Sequence, residues 1–166
     1  MSRKVSAGIL LFRRRPASAP DVEVLLGHPG GPFFVNRDVG HWTVPKGELG
    51  HDDDDMFATA AREFEEETGH SLASFAHPAD VKPIDLGFVI QASGKRVVCW
   101  AVEGDLDPAE ARSNTFELIW PPETGRRQTF PEIDRVAWFT LHEARRRANR
   151  SQAEFMNRLA EILTTG

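Results

Sequence analysis

Arg62-Glu63-Phe64-Glu65-Glu66-Glu67-Thr68-Gly69 is the stretch of the chain that decides its fold. An α-helix turns by roughly 100° per residue, so Glu63, Glu66 and Glu67 share one face within an arc of about 100°. Glu65 points elsewhere, to solvent. A different face, centred about 130° away, holds the packing residues Phe57, Ala61, Phe64 and Thr68. The spacing therefore predicts a helix that packs on a sheet through one face and keeps three carboxylates together at the edge of the contact.

The ends of this helix are also marked in the sequence. Residues 52–55 are four consecutive aspartates. They supply an N-cap and an acidic first turn, which the free backbone amides and the helix dipole favour. Gly69 is a natural C-terminal stop. We predict the helix over residues 56–68.

Three carboxylates on one helix face repel each other, by a few tenths of a kcal/mol per pair. A divalent cation removes this conflict, and an all-oxygen ligand set favours magnesium, manganese or calcium over zinc. The alternative interpretation is a solvated acidic face, which is the commoner role of Glu-rich helices. The residues just upstream favour the metal site.

Those residues are Trp42-Thr43-Val44-Pro45-Lys46-Gly47. Together the two segments resemble the Nudix box, written G-x5-E-x7-R-E-U-x-E-E-x-G-U with U a bulky aliphatic residue. Gly47 matches the first glycine, and the second half is matched in register by Arg62, Glu63, Phe64, Glu66, Glu67 and Gly69. The chain is thus similar to the Nudix (MutT-like) hydrolases over residues 47–70, and the fold of that family would cover nearly the whole chain.

The match departs from the pattern in three places. Gly47 and Arg62 are one residue further apart than the pattern has them. An aspartate replaces the middle glutamate of the pattern. It is Asp53 when the spacing is counted forward from Gly47, and Asp54 when it is counted back from Arg62. His70 stands where an aliphatic residue is usual. An insertion in a loop costs little, so the helix stays in register while the middle position is left open between the two aspartates.

The resemblance implies a ligand set and a chemistry. Glu66 and Glu67 would bind Mg²⁺ or Mn²⁺, Glu63 would be a third ligand or the general base, the Gly47 carbonyl a further ligand, and Arg62 a brace for the loop. Metal ions neutralise the phosphate oxygens of a phosphoanhydride and lower the pKa of bound water. A nearby carboxylate then takes the proton, and no covalent intermediate is required.

A further carboxylate from outside the helix is implied by the resemblance alone. The candidates are Glu110, Glu117 and Glu123. Glu117 interrupts the otherwise apolar strand of residues 115–120, where alternation places it with Thr115 and Ile119. We expect Glu117 to be either at a wet sheet edge or aimed at a cation, because burial without a partner would be costly.

Other polar and aromatic residues have two interpretations each. Lys46 is either a phosphate contact next to the metal site or simply exposed. Arg126 and Arg127, in a loop expected over residues 121–131, either hold distal phosphates or are solvated. The aromatic rings of Phe33, Phe34 and Trp42 either stack on a base or pack in the core or on the surface, and packing is the favoured interpretation.

The rest of the chain predicts a mixed α/β protein. Strands are expected at residues 5–12, 22–26, 42–44, 84–92, 96–102, 115–120 and 136–139, with a loop at residues 16–20. Two closing helices are indicated by capping-box spacing, Thr140 with Glu143 and Ser151 with Glu154. Strands before and after a helix indicate the mixed α/β class. The resemblance implies the Nudix α/β/α sandwich, a mixed sheet between helices, in one domain over residues 1–166.

Composition limits the class of protein. The net charge of −5 argues against binding to a nucleic acid polymer. Cys99 is the only cysteine, so an internal disulfide is excluded. The apolar run near the N-terminus is too short to span a membrane, and we expect a cytoplasmic protein. The oligomeric state is not specified by the sequence.

The implied function is that of a metal-dependent pyrophosphohydrolase acting on a nucleoside diphosphate-linked small molecule. Nucleoside or dinucleoside polyphosphates are favoured, because residues 42–47 resemble the W-x-x-P-K-G segment of diadenosine polyphosphate and diphosphoinositol polyphosphate hydrolases. The competing hypothesis is a catalytically inactive Nudix-like module that binds or senses nucleotides. The presence of Glu63, Glu66 and Glu67 favours the enzyme.

Overall fold

The structure is a computed structural model that describes residues 4–14, 22–52, 54–75 and 82–165. The described strands are β1 (Val5–Arg14), β2 (Val22–Pro29), β3 (Lys46–Glu48), β4 (Ile84–Ile90), β5 (Arg96–Glu103), β6 (Thr115–Ile119), β7 (Arg127–Pro131) and β8 (Ile133–Thr140). The described α-helices are α1 (Met56–Thr68), α2 (Leu141–Arg147) and α3 (Ala153–Thr165). None of these helices has the length and apolar character needed to cross a bilayer.

Strand β1 organises the main sheet, whose order is β4-β5-β1-β2-β8 with β3 also paired to β1. It runs parallel to β5 and antiparallel to β2 and β3. The sheet is therefore mixed, as the sequence predicts. Strands β6 and β7 form a separate antiparallel hairpin.

Helices cover both faces of the main sheet. Alternate residues of β1, such as Ile9 and Leu11, face α1 and pack with Phe64. Leu10 and Phe12 belong to the opposite core, with Phe155 and Met156 of α3. This two-faced burial gives the α/β/α sandwich and confirms the expected fold class.

Helix α1 begins and ends where the sequence predicts. The Asp55 side chain accepts a hydrogen bond from the Ala58 amide, and Gly69 takes the left-handed conformation at φ 79°. The carbonyls at the end of the helix are then satisfied from the chain that leads into β6. The amide of Asn114 donates to the Glu66 carbonyl (2.8 Å), and the amide of Arg112 donates to that of Thr68 (2.8 Å). The base of the β6–β7 hairpin is thereby attached to α1.

Three local predictions were wrong. Residues 42–44 make only isolated bridges, and the paired strand starts at Lys46. The stretch expected to be a loop at residues 121–131 contains β7, which turns back on β6 through Gly125 at φ 66°. Helix α3 starts at Ala153 without a cap from Ser151, whose amide instead donates to the Asn149 side chain (3.0 Å). The expected loop at residues 16–20 lies outside the described residues.

Strand β4 forms one edge of the main sheet. The Arg158 guanidinium of α3 reaches over it and donates to the carbonyls of Leu86 (2.8 Å) and Phe88 (2.9 Å). Phe88 and Ile90 on this strand are exposed. Backbone acceptors of the edge strand are thus occupied by a charged side chain.

Candidate functional site

The site is built where β3 meets α1. Gly47 in β3 lies directly against the Glu63 side chain, and a Cβ atom at this position would overlap the Glu63 carboxyl group. Glycine lets β3 approach α1 this closely, because a side chain at position 47 would displace the Glu63 carboxyl group. The Gly47–Arg62 spacing, one residue longer than the family pattern, therefore does not separate the two halves of the motif.

Glu67 is buried, with 7% of its surface exposed. Its Oε1 atom accepts a long hydrogen bond from the Lys46 amide (3.4 Å). Burial raises the pKa of Glu67 to about 8, although the Lys46 charge acts in the opposite direction. The helix is thus rotated slightly from the predicted orientation, since Glu67 was expected at the edge of the packing face rather than inside it.

Glu63 and Glu66 lie further out on the same face. The Glu63 side chain is 16% exposed and that of Glu66 41% exposed. Burial, and then the neighbouring Glu66 charge, raises the pKa of Glu63. Arg62 lies 3.6 Å from a Glu63 oxygen and 4.0 Å from a Glu66 oxygen. The structure therefore brings together the four residues of the motif that were predicted to be catalytic.

A cavity of about 310 Å³ opens beside these residues. Lys46 and Glu67 line it together with Glu132. Burial lowers the pKa of Lys46. Among the residues that the structure describes, no carboxylate oxygen lies within ion-pair distance of the Lys46 ammonium group. A cation held in this way fits an anionic ligand such as phosphate.

Glu132 is a site residue that the sequence did not indicate. It stands immediately before β8, and its charge contributes to the raised pKa values of Glu63 and Glu67. The Gly30 amide donates to its carbonyl oxygen (2.9 Å). No local pattern marks Glu132, because its proximity to α1 arises from the pairing of β8 with β2.

The other predicted polar residues lie on the β6–β7 hairpin. Alternation in β6 is as predicted, with Glu117 on the exposed side and its side chain 63% exposed. The Arg127 guanidinium contacts the Glu117 carboxylate at 3.4 Å. Arg126 and Arg127 are exposed and do not line the cavity. Asp54 is exposed before the helix, and Asp53 lies outside the described residues.

The three aromatic candidates have different positions. Trp42 is buried and packs against Phe139, which confirms the packing role. Phe33 is exposed and contacts the edge of the Trp120 ring. Phe34 lines the cavity, where its ring centroid lies 6.3 Å from that of His41. Two rings are therefore available beside the carboxylates for stacking on a planar group.

The donor set suits a hard divalent cation, since Glu63, Glu66, Glu67 and the Gly47 carbonyl offer only oxygen. In the described part of the chain, no three acidic, histidine or cysteine side chains are already arranged as a metal cage. Glu67 is directed to the Lys46 amide, and Glu66 lies near Arg62. The buried Glu67 carboxyl group, whose pKa is raised in the absence of a cation, is the feature that a bound cation would compensate.

Comparisons with known proteins agree with this geometry. The sequence matches the NUDIX domain over residues 2–159. A C. elegans Ap4A hydrolase in a binary complex has a similar fold, with a TM-score of 0.65, 20% identity and coverage of 98% of this chain and 99% of that chain. The NUDIX domain of Shewanella oneidensis NrtR complexed with ADP ribose has a TM-score of 0.62 at 16% identity, over 98% of this chain and 90% of that chain.

A mutT/nudix family protein from Listeria innocua is similar as well, with a TM-score of 0.61, 14% identity and coverage of 99% of this chain and 97% of that chain. No curated protein sequence matches the chain. At these identities the solved structures show a shared fold, and the match over residues 2–159 shows the family. The chain therefore belongs to the NUDIX domain family, the family of hydrolases that its sequence resembles.

Proposed function

We propose that the protein is a metal-dependent pyrophosphohydrolase that cleaves a phosphoanhydride in a nucleoside diphosphate-linked substrate. The observation that carries the proposal is that Glu67 and Lys46 line one cavity, while Glu63 and Glu66 lie further out on the same helix face, beside Arg62. Three carboxylates and one lysine suit a ligand made of a divalent cation and phosphate groups.

Hydrolases of this family generally use divalent metal ions, and we propose Mg²⁺ or Mn²⁺ here. Glu63, Glu66, Glu67 and the Gly47 carbonyl would hold the cation, which supplies charge neutralisation and a water of lowered pKa. Lys46 binds a phosphate oxygen and offsets its charge. Arg62 keeps the outer carboxylates in place through its contacts with Glu63 and Glu66.

For the carboxylate from outside the helix we propose Glu132 in place of Glu117. Glu132 lines the cavity with Glu67, whereas the Glu117 carboxylate is exposed on the hairpin beside Arg127. A carboxylate at the cavity wall can take a proton from the attacking water. Glu132→Gln is expected to lower kcat far more than Glu117→Gln in the same assay. Equal effects of the two changes on kcat would contradict the choice of Glu132 over Glu117.

The substrate class follows from the cavity wall and from the neighbours. Phe34 and His41 offer rings to a base. Among the proteins of similar fold, the C. elegans protein is an Ap4A hydrolase, and the NrtR domain was solved in complex with ADP ribose. A nucleotide with several phosphates, such as a dinucleoside polyphosphate, is the favoured class. We also propose a cytoplasmic location, on the basis of the single cysteine.

The test is a panel of diphosphate compounds in magnesium, with nucleoside triphosphates, Ap4A and ADP-ribose, and with products identified by chromatography. Wild-type protein is expected to release phosphate-bearing products from at least one compound. Glu67→Gln is the inactive variant, and Glu65→Gln is its matched control on the exposed side of the same helix. Binding of a nucleotide without turnover of any would instead favour the inactive sensing module.

A further inference from the structure

His28 links two segments that form walls of the cavity. It lies near the end of β2 in the segment His28-Pro29-Gly30-Gly31-Pro32, where the pairing with β8 shifts register between His28 and Pro29. Irregularities of this kind redirect the chain and are common next to active sites. The segment therefore turns out of the sheet at the point where the cavity begins.

The His28 ring is fully buried, and each of its nitrogens has a partner on another segment. Nδ1 lies 2.9 Å from an Asp134 carboxylate oxygen, and Nε2 lies 2.6 Å from the Arg37 carbonyl oxygen. The carbonyl can only accept, so Nε2 donates. The ring also meets the edge of Trp42, with centroids 5.2 Å apart. One side chain thus links β2, the start of β8 and the segment before Trp42.

Both linked segments carry residues that line the cavity. Arg37 lies between Phe34 and His41, the two rings of the cavity wall. Asp134 follows Glu132 by two residues at the start of β8. The His28 ring therefore connects the wall that holds the aromatic rings to the wall that holds Glu132.

The same segments have other attachments that do not depend on His28. The Asp38 carboxylate accepts from Arg147 (2.6 Å) and from the Trp42 indole (2.7 Å). The Gly30 amide donates to the Glu132 carbonyl. A change at His28 should accordingly loosen the two walls relative to each other without unfolding the protein.

We propose that His28 is a positioning residue for the hydrolytic reaction, which it serves by holding the Phe34–His41 wall in register with Glu132. The inference rests on the proposed function, since it assigns His28 a part in that reaction. A buried histidine with two satisfied nitrogens is also found in ordinary cores. The experiment must therefore separate positioning of the cavity from general stability.

The variants are His28→Leu, which removes both links, and His28→Gln, whose amide can still donate to the Arg37 carbonyl. Asp134→Ala removes one partner and leaves the ring in place. Leu159→Ala is the control for lost stability, because Leu159 is fully buried in the core on the α3 side. Each variant is compared by kcat and KM on the best compound of the panel, and by hydrogen exchange of backbone amides.

We expect His28→Leu to lower kcat/KM more than tenfold and His28→Gln to have an intermediate effect. Leu159→Ala should lose a comparable amount of Tm, but its kcat/KM should stay within about twofold of wild type. Amides of residues 37–42 and 133–136 should exchange faster in His28→Leu but not in Leu159→Ala. Unchanged exchange at these amides, or rates in His28→Leu equal to those of Leu159→Ala, would overturn the inference. If His28→Leu does not fold, the same comparison is made with His28→Gln and Asp134→Ala.

Failure of the proposed function has a different signature. Wild-type protein would then hydrolyse none of the panel compounds. In that case the part of the inference that concerns the reaction fails as well. The exchange data then test whether His28 holds the two walls together, and unchanged exchange in the variants overturns that part too.

Discussion

The Glu67 carboxyl group is buried close to Glu63 and Glu132, and its pKa lies near 8 instead of 4.5. At neutral pH the unfolded chain ionises this group while the folded chain without a cation holds its proton. Folding then takes up a proton, so stability falls as the pH rises from about 4.5 towards 8. A neutral side chain of the same shape removes this cost.

Glu67→Gln should therefore unfold at the same or a higher temperature than wild type at pH 7 without metal. Its hydrolytic rate should fall by two or more orders of magnitude, because a metal site contributes several kcal/mol of transition-state stabilisation. Thermal unfolding and steady-state kinetics check the two parts, with Glu65→Gln as control. Near-normal turnover in Glu67→Gln would remove it from the ligand set.

The close contact between Gly47 and Glu63 can be tested by substitution. In Gly47→Ala the new methyl group would overlap the Glu63 carboxyl group, so both stability and activity should fall. Adding Glu63→Ala removes the overlap. The double variant should recover part of the Tm lost in Gly47→Ala but none of the activity, as a double-mutant cycle would measure. Additive losses of Tm would mean that the two residues do not meet.

The residues of the site differ in how far the sequence could identify them. Helix geometry was sufficient to group Glu63, Glu66 and Glu67, and the resemblance to the Nudix box joined Lys46 and Gly47 to them. Glu132 is 65 positions after Glu67 in the sequence, and only the register of β8 on β2 brings it to the cavity. The sequence offered Glu117 instead because its alternation in β6 was readable locally.

Helix α1 carries the three glutamates of the site and packs on the sheet through its apolar face. Phe64 is fully buried between the helix and the sheet, whereas Glu65 next to it is exposed. Phe64→Ala should cost about 3–5 kcal/mol of the free energy of unfolding, and Glu65→Ala should change it by less than about 0.5 kcal/mol. Chemical denaturation of both variants checks the difference. Equal stabilities would mean that the helix packs through another face.

Among the elements, those with strong local signals were predicted and those set by pairing were not. The aspartate cap, the apolar face and Gly69 define α1 without reference to the rest of the chain. Strand β3 is only three residues long and exists because β1 pairs with it. Strand β7 has the exposed residues of a loop and is a strand because it pairs with β6.

At the scale of the whole molecule, the acidic site should link metal binding to stability. A cation that binds only the folded chain stabilises it by mass action. Mg²⁺ or Mn²⁺ in excess should raise the Tm of wild-type protein, and a chelator should reverse the change. Glu67→Gln should show a smaller rise, measured by thermal unfolding over a range of metal concentrations. If neither metal changed the Tm, the proposed metal site would be wrong.

The architecture of the whole chain was predicted through the family resemblance and not from composition or periodicity. Alternation indicated strands, but it could not specify that β1 runs parallel to β5 and antiparallel to β2. The net charge and the single cysteine limited the class of protein without selecting a topology. The mixed sheet between helices confirms the expectation that came from residues 47–70.

The contacts of Arg158 with strand β4 lead us to expect that this residue protects the protein from association with copies of itself. An edge strand with free backbone acceptors and exposed apolar side chains is a template for pairing with another chain and hence for aggregation. Phe88 and Ile90 provide the apolar surface on β4, and Arg158 occupies the carbonyls of Leu86 and Phe88. Arg158→Ala should therefore leave activity intact in dilute solution while light scattering increases with protein concentration on storage. The same guanidinium would make β4 a poor edge for strand exchange during synthesis, when many unfinished chains are close together.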